Sequence, residues 1–285
     1  MVQKTSSGSF TTTLMAKSNP WNKKPKSTTP SCHLGGLSVL VTRPAEQAAT
    51  LAEAISEAHG RPITFPTLEI LGPKDKHAAR AQLADLAGID LVIFISANAV
   101  RYAFPLMPDN IPLDLQVAAV GKATAQALQD VGLQPTLVPQ DSMDSEGLLA
   151  MPQLEDVQGR HILIVRGNGG RELLKDTLEQ RGARVTYVEV YRRRLPARNP
   201  ANLLHNWEQM VEAVTATSGQ ILENLFTLLG EAGEPLLQAT PLVVVSQRIA
   251  EQAAARGCRI IYLANSAGDA DIVRSLCEIY EAHYR

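Results

Sequence analysis

His161-Ile162-Leu163-Ile164-Val165-Arg166-Gly167-Asn168-Gly169-Gly170-Arg171 opens as an apolar run and ends in a glycine turn, after which Glu172 to Gln180 carries helical spacing. The stretch therefore reads as a strand, a tight turn and a helix N-terminus. The first N–H groups of a helix have no partner inside it, glycines let the main chain approach a ligand, and the helix dipole favours negative charge there. This is an anion-binding geometry, and similar polar turns follow most other apolar runs of the chain.

Working outward, apolar strands and amphipathic helices alternate from Leu37 onward. The strand Leu37 to Thr42 precedes a helix from Ala45 to His59 that ends near Gly60, and Ile63 to Ile70 is extended. A helix from His77 to Leu86, the strand Leu91 to Ile95, a helix from Asn98, the strand Val117 to Val120, a helix from Lys122 to Asp130 and a closing strand Thr136 to Val138 follow. Such alternation describes parallel sheets covered by helices on both faces. The second half repeats the first at an offset of roughly 120 residues, too long for a solenoid and right for a duplicated domain. Leu40 to Pro44 corresponds to Ile164 to Gly167, Val92 to Asn98 to Ala213 to Gly219, and Val117 to Gly132 to Leu242 to Gly257.

The 285 residues suit two domains. A formal net charge of -2 and a pI near 6.3 give no global basic signal, so nucleic acid and membrane surfaces are not expected partners. No apolar run approaches the roughly 18 residues of a membrane span. Cys32, Cys258 and Cys277 lack CxxC spacing, and no histidines show HExxH spacing, so we expect reduced structural thiols, a cytoplasmic setting, and no zinc or other metal. Gly167, Gly169 and Gly170 do not form a GxGxxG fingerprint, which argues against a dinucleotide. Residues 1–36 are rich in Ser, Thr and Lys without any acidic residue, and read as a disordered leader.

In open parallel sheets ligands lie beyond the carboxyl ends of strands. The residues there include Arg43, Ser96 and Asn98, Lys122 and Thr124, Arg166 and Gly169, Thr217 and Ser218, and Gln247. Helix capping alone accounts for any one of these turns; their recurrence in both halves points to a ligand with many negative groups. The run Arg192-Arg193-Arg194 reads as solvated surface charge, of which at most one residue reaches the site.

Val39 to Pro44 with Gln47, Phe65-Pro66 to Ile70, Val92 to Val100, Val120-Gly121-Lys122-Ala123-Thr124, Ser145 to Leu149 and Val188-Glu189-Val190-Tyr191-Arg192-Arg193, in this order and spacing, make the chain similar to the uroporphyrinogen-III synthase family from Leu37 to about Leu276. The resemblance implies two similar parallel-sheet α/β domains joined by a two-stranded linker, with a cleft between them. Domain one would comprise 37–66 and 194–285, and domain two 67–193 including linker strands 67–70 and 188–193. It implies closure of hydroxymethylbilane, a linear tetrapyrrole with eight carboxylates, by a cofactor-free lyase that removes water and inverts the terminal pyrrole ring. Tyr191 would assist departure of the hydroxyl group; as a linker tyrosine it would equally well pack. The resemblance further makes Ser96, Thr124 and Ser218 carboxylate contacts, with Lys122 and Arg43 adding charge. Ser246-Gln247-Arg248-Ile249 departs from the Gly and Thr pattern common in the family, which leaves Gln247 a substitute contact. Two other readings stay open, a non-enzymatic bilobal anion binder and a regulatory domain of the same fold. A monomer is expected, and a transient contact with the preceding pathway enzyme is left open.

Overall fold

The computed structural model describes residues 3–4, 10–13, 32–112 and 115–284. Its strands, in chain order, are β1 (Gln3–Lys4), β2 (Phe10–Thr13), β3 (Ser38–Val41), β4 (Arg61–Thr64), β5 (Glu69–Leu71), β6 (Leu91–Phe94), β7 (Asn110–Pro112), β8 (Gln116–Ala119), β9 (His161–Gly167), β10 (Arg184–Arg194), β11 (Ala213–Ala216), β12 (Leu242–Val244) and β13 (Ile261–Leu263). The described residues gather into two compact units: unit 1 holds 3–4, 10–13 and 71–193, and unit 2 holds 32–70 and 194–284.

Unit 2 is built on a five-stranded sheet in the order β13-β12-β11-β3-β4, with all neighbours parallel. Alternate residues of each strand face opposite sides, so one short apolar run feeds two cores. Leu40, Val214, Leu242 and Val244 pack toward the helices Gly219–Ala239 and Gln247–Ala255, whereas Val39, Val41, Ala213 and Val243 pack toward the helices Ala45–Glu57 and Asp269–His283. Leu34 is fully buried in the second of these cores, and its N–H donates to the Ala58 carbonyl at 2.7 Å. The expected leader therefore ends too late: Leu34, inside 1–36, is already part of this core. Strands β1 and β2 also pair, and β2 pairs with β7, which departs from a wholly unstructured leader; the rest of 1–31 lies outside the described residues.

Unit 1 is built on the strand order β10-β9-β6-β8, again with all neighbours parallel. Leu91, Ile93, Ile162, Ile164 and Val185 supply one core, against Leu148, Leu154, Leu174 and Leu178. The two sheets agree in connectivity as the repeat in the sequence requires: β9 answers β3, β10 answers β4, β6 answers β11 and β8 answers β12. The expected strand Thr136 to Val138 is reduced to one parallel bridge between Leu137 and Ala118, at the place β13 occupies in unit 2. Thr136 is nonetheless tied to β8: its N–H and its hydroxyl both donate to the Val117 carbonyl, at 2.7 and 3.1 Å, and the hydroxyl accepts from the Val117 N–H at 3.3 Å.

The division between units falls after Ile70 rather than after Pro66. Thr67 is fully buried in unit 2: its hydroxyl donates to the Ile221 carbonyl at 3.1 Å, Asn224 donates to its carbonyl at 2.7 Å, and Leu68 joins the unit 2 core. Likewise, residues 188–191, expected as linker, are members of the unit 1 sheet, paired through β10 to β9.

The cysteine expectation is corrected. Cys32 and Cys277 form a disulfide between the segment leading into β3 and the helix Asp269–His283, with a Cα–Cα distance of 6.3 Å, inside the range such bridges span. Cys258 is free and buried, and burial pushes its thiol up to about 11.

Candidate functional site

The carboxyl ends of β6, β9 and β10 border a cavity of about 220 Å³ in unit 1. Its wall is made by Ile95, Ser145, Ile164, the run Arg166 to Arg171, Leu174, Tyr187, Tyr191 and Arg193. Two hydrogen-bonded groups occupy this wall, one centred on Tyr191 and one on Arg166.

Tyr191 is 1% exposed. It stands opposite Gly167 in the β10–β9 ladder, where the register shifts between Glu189 and Tyr191. A β-bulge of this kind re-aims the side chains that follow it. The ring lies against Gly167 so closely that a Cβ at that position would fall 2.5 Å from its Cε2 and Cζ atoms. Its hydroxyl is 3.2 Å from Ser96 Oγ and receives a hydrogen bond from Arg193 Nη2 at 3.0 Å, and Tyr102 stacks at 5.9 Å between ring centroids. Ser96 also caps the helix Ala97–Ala103, its Oγ accepting from the Ala99 N–H at 3.1 Å.

Arg166 is 3% exposed and fully engaged. Its guanidinium donates to the Gly167 and Gly169 carbonyls and to Glu172 Oε1, the last at 3.0 Å, and lies 4.3 Å from the centroid of the Tyr187 ring. Tyr187 donates its O–H to Glu172 Oε2 at 2.7 Å. That hydrogen bond, followed by the Arg166 guanidinium, holds the Glu172 carboxyl below its ordinary range, while burial and then Glu172 push the Tyr187 phenol up. Arg166 thus ties down the glycine turn through the Gly167 and Gly169 carbonyls. Gly169 and Gly170 have φ of 64° and 111°, the left-handed region in which glycine alone is at ease.

The other expected residues of unit 1, Asn98, Lys122 and Thr124, are not among the residues that line this cavity. Lys122 begins the helix Lys122–Asp130 and is exposed; Thr124 lies in its first turn and is buried; Asn98 lies in the first turn after Ser96 and is partly exposed. In unit 2, Arg43, Thr217, Ser218 and Gln247 occupy the corresponding strand ends. Ser218 caps the helix Gly219–Ala239 through the Ile221 N–H at 3.2 Å, and Gln247 is exposed and bonded to Glu251. Arg43 corrects the expectation of added free charge. It is 6% exposed, and its guanidinium holds the Asp269 carboxylate and the Ala267 carbonyl, fastening the last helix of unit 2.

Sequence reasoning missed Asn168 and Arg193. The Asn168 N–H donates to the Tyr191 carbonyl at 3.0 Å and its Oδ1 accepts from the Arg193 N–H at 2.7 Å, so it stitches the turn after β9 to the end of β10. Of the arginine run, Arg194 pairs with Glu69 and Arg192 is exposed, while Arg193 folds back over the Tyr191 ring. A period of two from Tyr191 would have singled out Arg193. Among the described residues no cluster of His, Cys, Asp and Glu could hold a metal ion, and no helix is long and apolar enough to cross a membrane.

The family model described as uroporphyrinogen-III synthase HemD matches residues 49–274, which include every residue of this wall. The chain belongs to the uroporphyrinogen-III synthase family. It is 35% identical over 252 residues to the uroporphyrinogen-III synthase of Escherichia coli (strain K12), covering 84% of this chain and 100% of that one, and 34% identical over 245 residues to that of Salmonella typhimurium, with the same coverage. Among solved structures, a uroporphyrinogen III synthase of Thermus thermophilus shares the fold with a TM-score of 0.63 at 21% identity, over 87% of this chain and 100% of that one. The uroporphyrinogen-III synthetase of Helicobacter pylori 26695 does so with a TM-score of 0.54 at 15% identity, over 86% and 99%. The duplicated α/β units described above are the fold of this synthase family.

Proposed function

We propose that this synthase-family chain closes hydroxymethylbilane to uroporphyrinogen III as a cofactor-free lyase, and that Tyr191 assists the step in which the hydroxyl group departs. The observation that carries this reading is a phenol held rigidly on the wall of a cavity, beside a glycine turn whose main chain suits carboxylates. The nitrogen lone pair of the pyrrole expels the hydroxyl once its oxygen accepts a proton, and the C–O electron pair leaves with that oxygen as water. Because the substrate's own reactivity drives this step, the protein's task is conformational. It must hold the carboxylates so that the strained spiro route to the inverted ring wins over direct head-to-tail closure. Main-chain N–H groups on a stiffened turn do this at little side-chain entropy cost. Gly169, Ser96, Asn98, Lys122 and Thr124 are the proposed contacts in unit 1, Arg166 supports them, and Thr217, Ser218 and Gln247 are proposed for the matching strand ends of unit 2. We also place the enzyme in the cytoplasm, as a monomer.

A coupled assay tests the proposal. Hydroxymethylbilane is supplied and the ratio of type III to type I uroporphyrin is read after oxidation: type III supports the synthase, and type I alone would leave only a binder. Tyr191→Phe should keep the fold and lower turnover roughly a hundredfold, the low end of what a positioned acid contributes. A fully active variant would remove Tyr191 from the mechanism.

A further inference from the structure

We infer that Arg193 is a positioning residue for Tyr191, fixing the direction of the phenol proton and holding the phenol oxygen while that proton is given up. This rests on the reading of Tyr191 above. Three observations carry it. Arg193 Nη2 donates to the Tyr191 oxygen at 3.0 Å, and the guanidinium lies 5.6 Å from the ring centroid. Its main-chain N–H is pinned by Asn168 Oδ1 at 2.7 Å, so the strand end that carries it is tied to the turn after β9. Its charge is placed differently from that of its neighbours on the wall, since Arg166 is paired with Glu172 and Arg171 with Glu146, whereas the side-chain partner of Arg193 is the phenol.

The chemistry follows from donor and acceptor counts. A guanidinium has donors and no acceptor, so the phenol cannot direct its own proton toward Arg193. The proton points instead to Ser96 Oγ, 3.2 Å away, or to a leaving oxygen that takes its place. On transfer the phenol O–H bond breaks, the proton bonds to the departing hydroxyl, which leaves as water with the C–O electron pair, and the phenolate is held by a charge-assisted hydrogen bond from Arg193. The proton lost by the terminal pyrrole on ring closure restores the phenol.

The experiment is a double-mutant cycle with hydroxymethylbilane as substrate, using Arg193→Met, Arg193→Lys, Tyr191→Phe and Tyr191→Phe/Arg193→Met, with kcat, KM and thermal midpoint measured for each. Arg193 is exposed, so its two single variants should melt near the parent. The expected result is a fall in kcat of about tenfold for Arg193→Met with KM nearly unchanged, a partial recovery in Arg193→Lys, and a double variant no slower than Tyr191→Phe alone. An unchanged kcat, a rise in KM alone, or losses that multiply in the double variant would overturn the inference and make Arg193 a bystander or a separate carboxylate anchor. A fully active Tyr191→Phe would instead remove the underlying reading, and the two failures are thereby told apart. If Arg193→Met melts early, Arg193→Lys decides by the same criteria.

Discussion

Gly167 and Tyr191 show how one side chain's absence sets another's place. The missing Cβ is the space the aromatic ring fills, so Gly167→Ala should push the ring off Ser96 at an overpacking cost of about 1–3 kcal/mol. We expect turnover to fall toward that of Tyr191→Phe while far-ultraviolet circular dichroism stays native; an Ala variant as fast as the parent would show that the ring can shift harmlessly. Glu172 gives a second residue-scale prediction. Its folded carboxyl is depressed by the Tyr187 hydrogen bond and then by Arg166, so its contribution to stability is complete above the unfolded value and fades as pH falls through the folded one. Thermal midpoints of the parent and Glu172→Gln should therefore differ at neutral pH and converge below roughly pH 4, under the ordinary glutamate value. A gap that persists at pH 3 would assign the loss to packing instead of charge.

Among the elements, the helix Gly219–Ala239 is the most informative, because Gly230 interrupts it at φ 61° and ψ -168°. That region is open to glycine and hardly to other residues. Apart from the adjacent residues and the helix's own backbone, no atom lies within 4 Å of where a Cβ would sit, so Gly230→Ala isolates backbone strain and should cost about 1–3 kcal/mol in denaturant unfolding. An unchanged midpoint would mean the kink relaxes without penalty. At the same helix's start, Ser218→Ala removes a cap and should cost about 1 kcal/mol. A loss of activity larger than that loss of stability explains would add substrate contact to the cap. Element boundaries were legible where propensity and capping agreed: Lys122–Asp130 was read from the sequence with the limits it has. Thr136 to Val138 was not: it reads as a strand, yet beside β8 it makes only the single bridge between Leu137 and Ala118.

At the scale of the whole molecule, unit 2 is assembled from two segments, 32–70 and 194–284, and Cys32–Cys277 ties them across 245 residues. A bridge of this kind typically contributes about 2–4 kcal/mol. Reductant should lower the thermal midpoint of the parent and leave Cys32→Ala/Cys277→Ala unmoved at the reduced value; a parent insensitive to reductant would show that the pair is not bridged in solution. The same long-range assembly explains which site residues escaped sequence reading. Arg43 looked like free charge until Asp269 and Ala267, more than two hundred residues away, were brought against it, and Arg193 could not be told from its two neighbours until its guanidinium met the Tyr191 hydroxyl.

Local periodicity and turn chemistry were enough to establish the duplicated α/β halves, the glycine turn after β9 and the strand-end positions of the candidate residues, since each depends on neighbours within a few residues. Which arginines are engaged inside the fold, which unit Thr67 joins, and how Tyr191 is aimed depend on partners distant in the chain. Those pairings are decided by packing, and only the tertiary structure holds them.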